Sequence, residues 1–129
     1  MKKFILRYLP VVFWMLLIFL MSSKSDLPMN GTVTEDFLSK KLAHFFEYTV
    51  LMFFMFRAVG EKSPAKAFLY SLIFSFSDEI HQLFIPNRTG RLRDIGIDSL
   101  GLVLASISII KLPTWNSFLL VHPPRKPKK

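Results

Sequence analysis

Apolar residues in this chain fall into four long blocks separated by short polar stretches. The blocks run from about Phe4 to Met21, Leu42 to Val59, Ala67 to Ile85 and Ile95 to Ile110. Each approaches the ~20 residues that a helix needs to cross a bilayer core. A long helix in a soluble protein carries a wide polar face. The run Leu51-Met52-Phe53-Phe54-Met55-Phe56 has none. The pattern predicts an all-α polytopic membrane protein, a four-transmembrane-helix bundle in residues 1–112. The connections are Ser22–Lys41, with Pro28 and the turn pair Asn30-Gly31, then Gly60–Lys66, then Pro86–Arg93 with Gly90. The Pro- and Lys-rich residues 113–129 cannot build a core and read as a disordered basic tail. Lys2-Lys3 ahead of the first block looks like the start of a secretory signal. No small-x-small cleavage site follows it, so the block reads as a retained anchor.

Composition strengthens the membrane reading. The 129 residues are 51% hydrophobic, with 14 Phe, more apolar surface than a soluble domain of this size can hide. The absence of Cys excludes thiol chemistry, disulfides and Cys-based metal sites. A net charge of +8 raises nucleic acid as a partner, but no recognition motif accompanies it and none is expected.

The distribution of charge assigns an orientation instead. Lys2, Lys3, Arg7, Arg57, Lys62, Lys66, Lys111, Arg125, Lys126, Lys128 and Lys129 fall on one side of a four-span chain, with a single acid, Glu61. Lys24, Lys40, Lys41, Arg88, Arg91 and Arg93 fall on the other, with the remaining acids. The positive-inside rule puts the first side, with both termini, in the cytoplasm of a multi-pass cell-membrane protein.

Ionisable residues inside spans are costly, and here they are ordered. Lys41, His44 and Glu47 open the second block at i, i+3, i+6. Asp78, Glu79, His81 and Gln82 close the third. Asp94 and Asp98 open the fourth at i, i+4. Adjacent spans alternate in direction, so all three stripes lie at one end of the bundle. At ~1.5 Å per residue, Glu47 lies about 9 Å past Lys41, Asp78 about 10 Å before Ile85 and Asp98 about 6 Å past Asp94. The stripes then line one polar pocket sunk into the outer leaflet, roofed by Arg88, Arg91 and Arg93. The bland alternative is an ion-pair network stapling the helices, for example Arg88 to Asp94 or Lys41 to Glu79. Ser71, Ser75, Ser77, Ser106 and Ser108 read as helix-packing residues.

These residues resemble the VanZ-like family. The resemblance lies in Lys41-Leu-Ala-His44-Phe-Phe-Glu47-Tyr48, Ser77-Asp78-Glu79-Ile-His81-Gln82-Leu-Phe84, Pro86-Asn-Arg88-Thr-Gly90 and Asp94-Ile-Gly-Ile-Asp98-Ser-Leu-Gly101, with Ser22-Ser23 after the first span. It covers about residues 4–110. Asn87 departs from it, since the family more often has Gly between the Pro and the Arg. The resemblance implies a bacterial cell-envelope protein, and the family's namesake is linked to resistance against the glycopeptide teicoplanin. It supplies no reaction.

Three readings follow. In the first, the outer face binds an anionic lipid-linked or headgroup ligand among membrane lipids, with Lys41, Arg88, Arg91 and Arg93 as its cations and His44, Glu47, Asp78, Glu79, His81, Gln82, Asp94 and Asp98 beneath. In the second, the protein is a membrane enzyme that uses His44, Glu47, Asp78, Glu79 and His81 for acid–base catalysis on such a headgroup. In the third, it is purely structural. His44 with Glu47, and Asp78 with His81, have the i, i+3 spacing of metal ligands on facing helices. Arginines above them repel cations, and no metal or other cofactor is expected.

Overall fold

The computed structural model describes residues 2–24, 33–59, 63–86, 88 and 90–112, and among these every regular element is helical. Helix α1 spans Lys2–Ser22, α2 Val33–Val59, α3 Pro64–Gln82 and α4 Leu92–Lys111. The predicted tail, residues 113–129, lies outside the described residues.

Four boundaries differ from the hydrophobic pattern by three residues or more, the α3 start at Pro64 ahead of Ala67 among them. Helix α2 begins at Val33, nine residues before the apolar block, because hydropathy marks where a helix meets apolar surroundings and not where its hydrogen bonding starts. Helix α4 likewise begins at Leu92, ahead of Ile95. Helix α3 stops at Gln82, short of Ile85. There the chain tightens into i→i−3 bonds, Leu83 N–H to Ile80 O and Phe84 N–H to His81 O, ahead of Pro86, which cannot continue a helix. At its other end, Ser63 caps α3 by accepting from Lys66 N, with Pro64 in the first turn.

Pro10 sits inside α1 and has no N–H for the carbonyl of Leu6. Arg57 Nη2 donates to that oxygen at 3.3 Å. In return, Arg7 Nε donates to Ala58 O near the end of α2 at 2.7 Å. Two arginines thus satisfy main-chain acceptors that their partner helices leave open. This fixes α1 antiparallel to α2, with the start of α1 beside the end of α2.

Helix α2 packs against all three others, α3 also packs against α4, and α1 reaches α3 but not α4. The α2–α4 contact depends on Gly101. A Cβ there would stand 2.5 Å from the Phe45 carbonyl oxygen and 2.9 Å from Thr49 Oγ1. Glycine is what lets the two backbones approach this closely. Tyr48, Leu51, Met52, Leu102, Ala105 and Ile109 close the core around them.

Helix α3 is inside-out by soluble standards, and α4 is so only at its start. Helix α3 buries Ala67, Ser71, Ser75, Asp78, Glu79 and Gln82 and exposes Leu69, Tyr70, Ile73, Phe76 and Ile80. Helix α4 buries Asp94 and Asp98 together with Ile95, Leu102, Ala105 and Ile109, and exposes Leu100, Val103, Leu104, Ile107 and Ile110. Continuous exposed apolar surface of this kind requires an apolar partner or a membrane. Two segments, Phe4–Ser22 and Phe37–Val59, are long and apolar enough to cross a bilayer, with mean hydropathies of 2.2 and 1.3.

Candidate functional site

The polar stripes of α2, α3 and α4 meet at one end of the molecule, together with the last turn of α1. At the centre is Asp98, fully buried. Ser75 Oγ donates to its Oδ2 at 2.5 Å, and His44 Nδ1 lies 3.1 Å from its Oδ1. Beside it, Asp78 Oδ2 accepts from Ser22 Oγ at 2.8 Å and from Gln82 Nε2 at 3.1 Å. Gln82 Nε2 also reaches Glu79 Oε1 at 3.4 Å. Glu79 Oε2 accepts from the main-chain N–H of Arg91 at 2.8 Å. One nitrogen or oxygen from each of His44, Glu79 and Asp98 falls within 4.8 Å of the others.

Local backbone chemistry sets this up. A Cβ on Gly90 would collide with the Glu79 carbonyl oxygen. Only glycine lets the α3–α4 loop lie flat on the end of α3, which delivers Arg91 N–H to the Glu79 carboxylate. Asp78 and Gln82 are one turn apart on α3, so the amide clamps the carboxylate from the same face.

The remaining predicted residues surround this centre. Lys41 Nζ pairs with Asp94 Oδ1, not with Glu79. Phe37 receives the Lys41 ammonium and the Arg93 guanidinium, 5.2 and 5.5 Å from its centroid. Glu47 is half-buried, and its charge couples to His44, Asp78, Asp98 and Arg88. Its main-chain oxygen accepts from Trp14 Nε1 at 2.9 Å. Arg88 Nε donates to Lys24 O at 2.9 Å, so this roofing arginine ties its loop to the end of α1.

His81 turns to α1. Its ring stacks on Phe19, centroids 3.9 Å apart, and its Nε2 is 2.9 Å from Ser23 Oγ. The Ser23 hydroxyl also bonds Phe19 O at 2.7 Å. Its one proton serves Phe19, so both contacts hold together only when His81 Nε2 carries the hydrogen. His81 then acts as a donor to Ser23 and does not activate it as a base. Ser75 is no nucleophile of the serine–histidine kind either, because its hydroxyl is committed to Asp98 and not to an imidazole.

The i, i+3 pairs read as metal spacing, His44 with Glu47 and Asp78 with His81, are not the groups that converge. Convergence draws one residue from each of α2, α3 and α4. Residues that the sequence reading did not place in the site are Ser22 and Ser75. Ser75 is a carboxylate donor, not mere packing, and the signal was present: Ser71, Ser75, Asp78 and Gln82 recur at helical spacing on one face. By contrast, Ser77, Ser106 and Ser108 bond only carbonyls of their own helices, at 2.7, 2.7 and 2.9 Å.

Residues 7–113 match the VanZ/LLP1 family. The chain belongs to the VanZ/LLP1 family. No curated protein and no solved structure matches it. The region shared with the VanZ/LLP1 family takes in all but the first turn of α1, the whole of α2, α3 and α4, and every residue of the converging cluster. Chemically, the cluster offers carboxylate oxygens, one imidazole oriented by a carboxylate, and a rim of cations.

Proposed function

We propose that this VanZ/LLP1 protein is a four-span protein of the cell envelope whose polar end, at the outer membrane face, binds an anionic lipid-linked or headgroup ligand. In this reading a change in ligand handling alters susceptibility to glycopeptides such as teicoplanin. The observation that carries it is the buried polar network joining all four helices at one end: Ser22 from α1, His44 from α2, Ser75, Asp78 and Glu79 from α3, and Asp98 from α4. Polar burial of this extent inside membrane helices is expensive and marks functional positions. Arg88, Arg91 and Arg93 supply the cations that an anionic headgroup needs at the rim. Helices α3 and α4, at 19 and 20 residues, are about 29 and 30 Å long, and their exposed apolar faces suit lipid.

The topology has a direct test. Reporter fusions after Gly60 and after Lys129 are expected to read cytoplasmic, and one after Asn30 external. An external reading at Lys129 removes the four-span arrangement.

The binding reading has another. Asp78→Asn keeps an acceptor oxygen for Ser22 and Gln82, and Glu47→Gln keeps volume. Both are expected to melt in detergent close to wild type yet to abolish the teicoplanin phenotype and the co-purified lipid seen by native mass spectrometry. Variants that melt normally and keep both would overturn the reading.

A second reading, a membrane enzyme acting on the same headgroup, draws on one feature: Asp98 orients His44 as a carboxylate orients a general base. Conversion of the bound lipid to a new mass during incubation, lost in His44→Gln, would favour it over simple binding.

A further inference from the structure

We propose that His44, Glu79 and Asp98 form a binding site for one divalent transition-metal cation of the zinc, manganese or iron class. The proposal does not depend on the ligand reading above. Its first basis is geometry. Donor atoms of the three side chains lie within 4.8 Å of one another, although they come from three helices. Neighbouring ligands of a tetrahedral ion sit about 3.4 Å apart when each bond is ~2.1 Å, so side-chain movements of about an ångström close the set. The 3.1 Å between His44 Nδ1 and Asp98 Oδ1 is already the spacing of neighbouring ligands.

The second basis is independent of the cluster's composition. Asp78 Oδ1 is buried with no hydrogen-bond partner, on a residue only 1% exposed. That carboxylate couples in charge to both His44 and Asp98. Buried polar atoms are satisfied almost everywhere in proteins. An open carboxylate oxygen beside three converging donors marks a place where something further binds.

Charge points to a cation. Asp78, Glu79 and Asp98 are buried together, while the nearby ammonium of Lys41 is committed to Asp94. A bound divalent ion is the largest local charge a site can acquire and offsets such a cluster. Mixed imidazole and carboxylate donors select zinc, manganese or iron over calcium. Outer partners are in place as well. Ser75 holds the second oxygen of Asp98, and Gln82 and Arg91 N–H hold the Glu79 carboxylate, as oriented metal ligands require. Arg91 and Arg93 are exposed at the rim, and Arg88 Nε is bound to Lys24 O at the end of α1, while the three carboxylates lie buried inside.

The full-length protein in detergent, stripped with a chelator and titrated with Zn2+ and separately with Mn2+, tests the site. One equivalent of at least one ion is expected by mass spectrometry of metal content, with a higher melting temperature that a chelator reverses. Glu79→Gln and His44→Gln are each expected to weaken that affinity by at least about ten-fold, as even lesser losses at such sites do. His81→Gln, whose ring lies outside the cluster, is expected to bind as wild type does. Asp98→Asn is a further variant, and should it fail to fold, the other two decide. Sub-stoichiometric binding of both ions to wild type, or equal binding by Glu79→Gln, His44→Gln and wild type, would overturn the site.

Discussion

Gly101→Ala is expected to destabilise the protein severely, whereas Gly96→Ala, five residues away on the same helix, is expected to leave it unchanged or slightly more stable. The two substitutions add the same methyl group to α4. At Gly96 that methyl meets nothing within 4 Å, and removing a glycine from a helix interior gains up to about 1 kcal/mol in helix propensity. At Gly101 it arrives 2.5 Å from the Phe45 carbonyl oxygen and 3.1 Å from Thr49 N. These are backbone atoms of α2 and cannot rotate away, so the helices must separate. Overpacking costs about 1–3 kcal/mol when side chains can adjust, and here the rigid neighbour puts the loss at the top of that range or above. The same separation pulls His44 on α2 away from Asp98 on α4. Thermal unfolding of purified protein in detergent reads both variants. Equal melting temperatures for the two would show that the α2–α4 approach is not as close as described.

Much of this architecture was legible because apolar segregation and helix geometry both leave regular signals in a sequence. Four apolar blocks gave four helices, and the alternation of direction brought Lys41–Glu47, Asp78–Gln82 and Asp94–Asp98 to one end. The helix starts were less legible. Residues 33–41 are mostly polar, yet they are helical, because backbone hydrogen bonds form whether or not the side chains meet an apolar phase. Partners were the least legible part. Spacing along one helix tells which residues share a face, as for His44 and Glu47. It says nothing of the rotation of one helix against another. That rotation pairs Lys41 with Asp94 and His44 with Asp98, and it turns His81 away to Phe19. It depends in turn on Gly101 and Gly90, residues that carry no chemistry and whose role appears only when a Cβ is tried in place.

The same rotation sets the pair Lys41–Asp94, which ties α2 to α4, apart from the central cluster of the proposed site. Lys41→Met is expected to destabilise the protein by about 3–5 kcal/mol, because removing one partner strands the other's buried charge. Side-chain exposure at this pair is 15% for Lys41 and 9% for Asp94, so water cannot replace the lost ammonium well. Asp94 lies in the first turn of α4, where the helix dipole favours an anion, and this draws the loss toward the lower end. The double variant Lys41→Met with Asp94→Leu is then expected to recover most or all of the stability, since apolar replacement of a buried pair is often neutral or stabilising. Melting temperatures of wild type, both single variants and the double variant complete the cycle. Additive losses would show that the two side chains do not interact. The functional readout distinguishes this pair from the central cluster. If Lys41–Asp94 is a staple, the double variant keeps the glycopeptide phenotype at wild-type level, while Asp78→Asn loses it without melting early. If the double variant melts normally but loses the phenotype, Lys41 belongs to the ligand site, and the cationic rim extends from the α3–α4 loop onto α2.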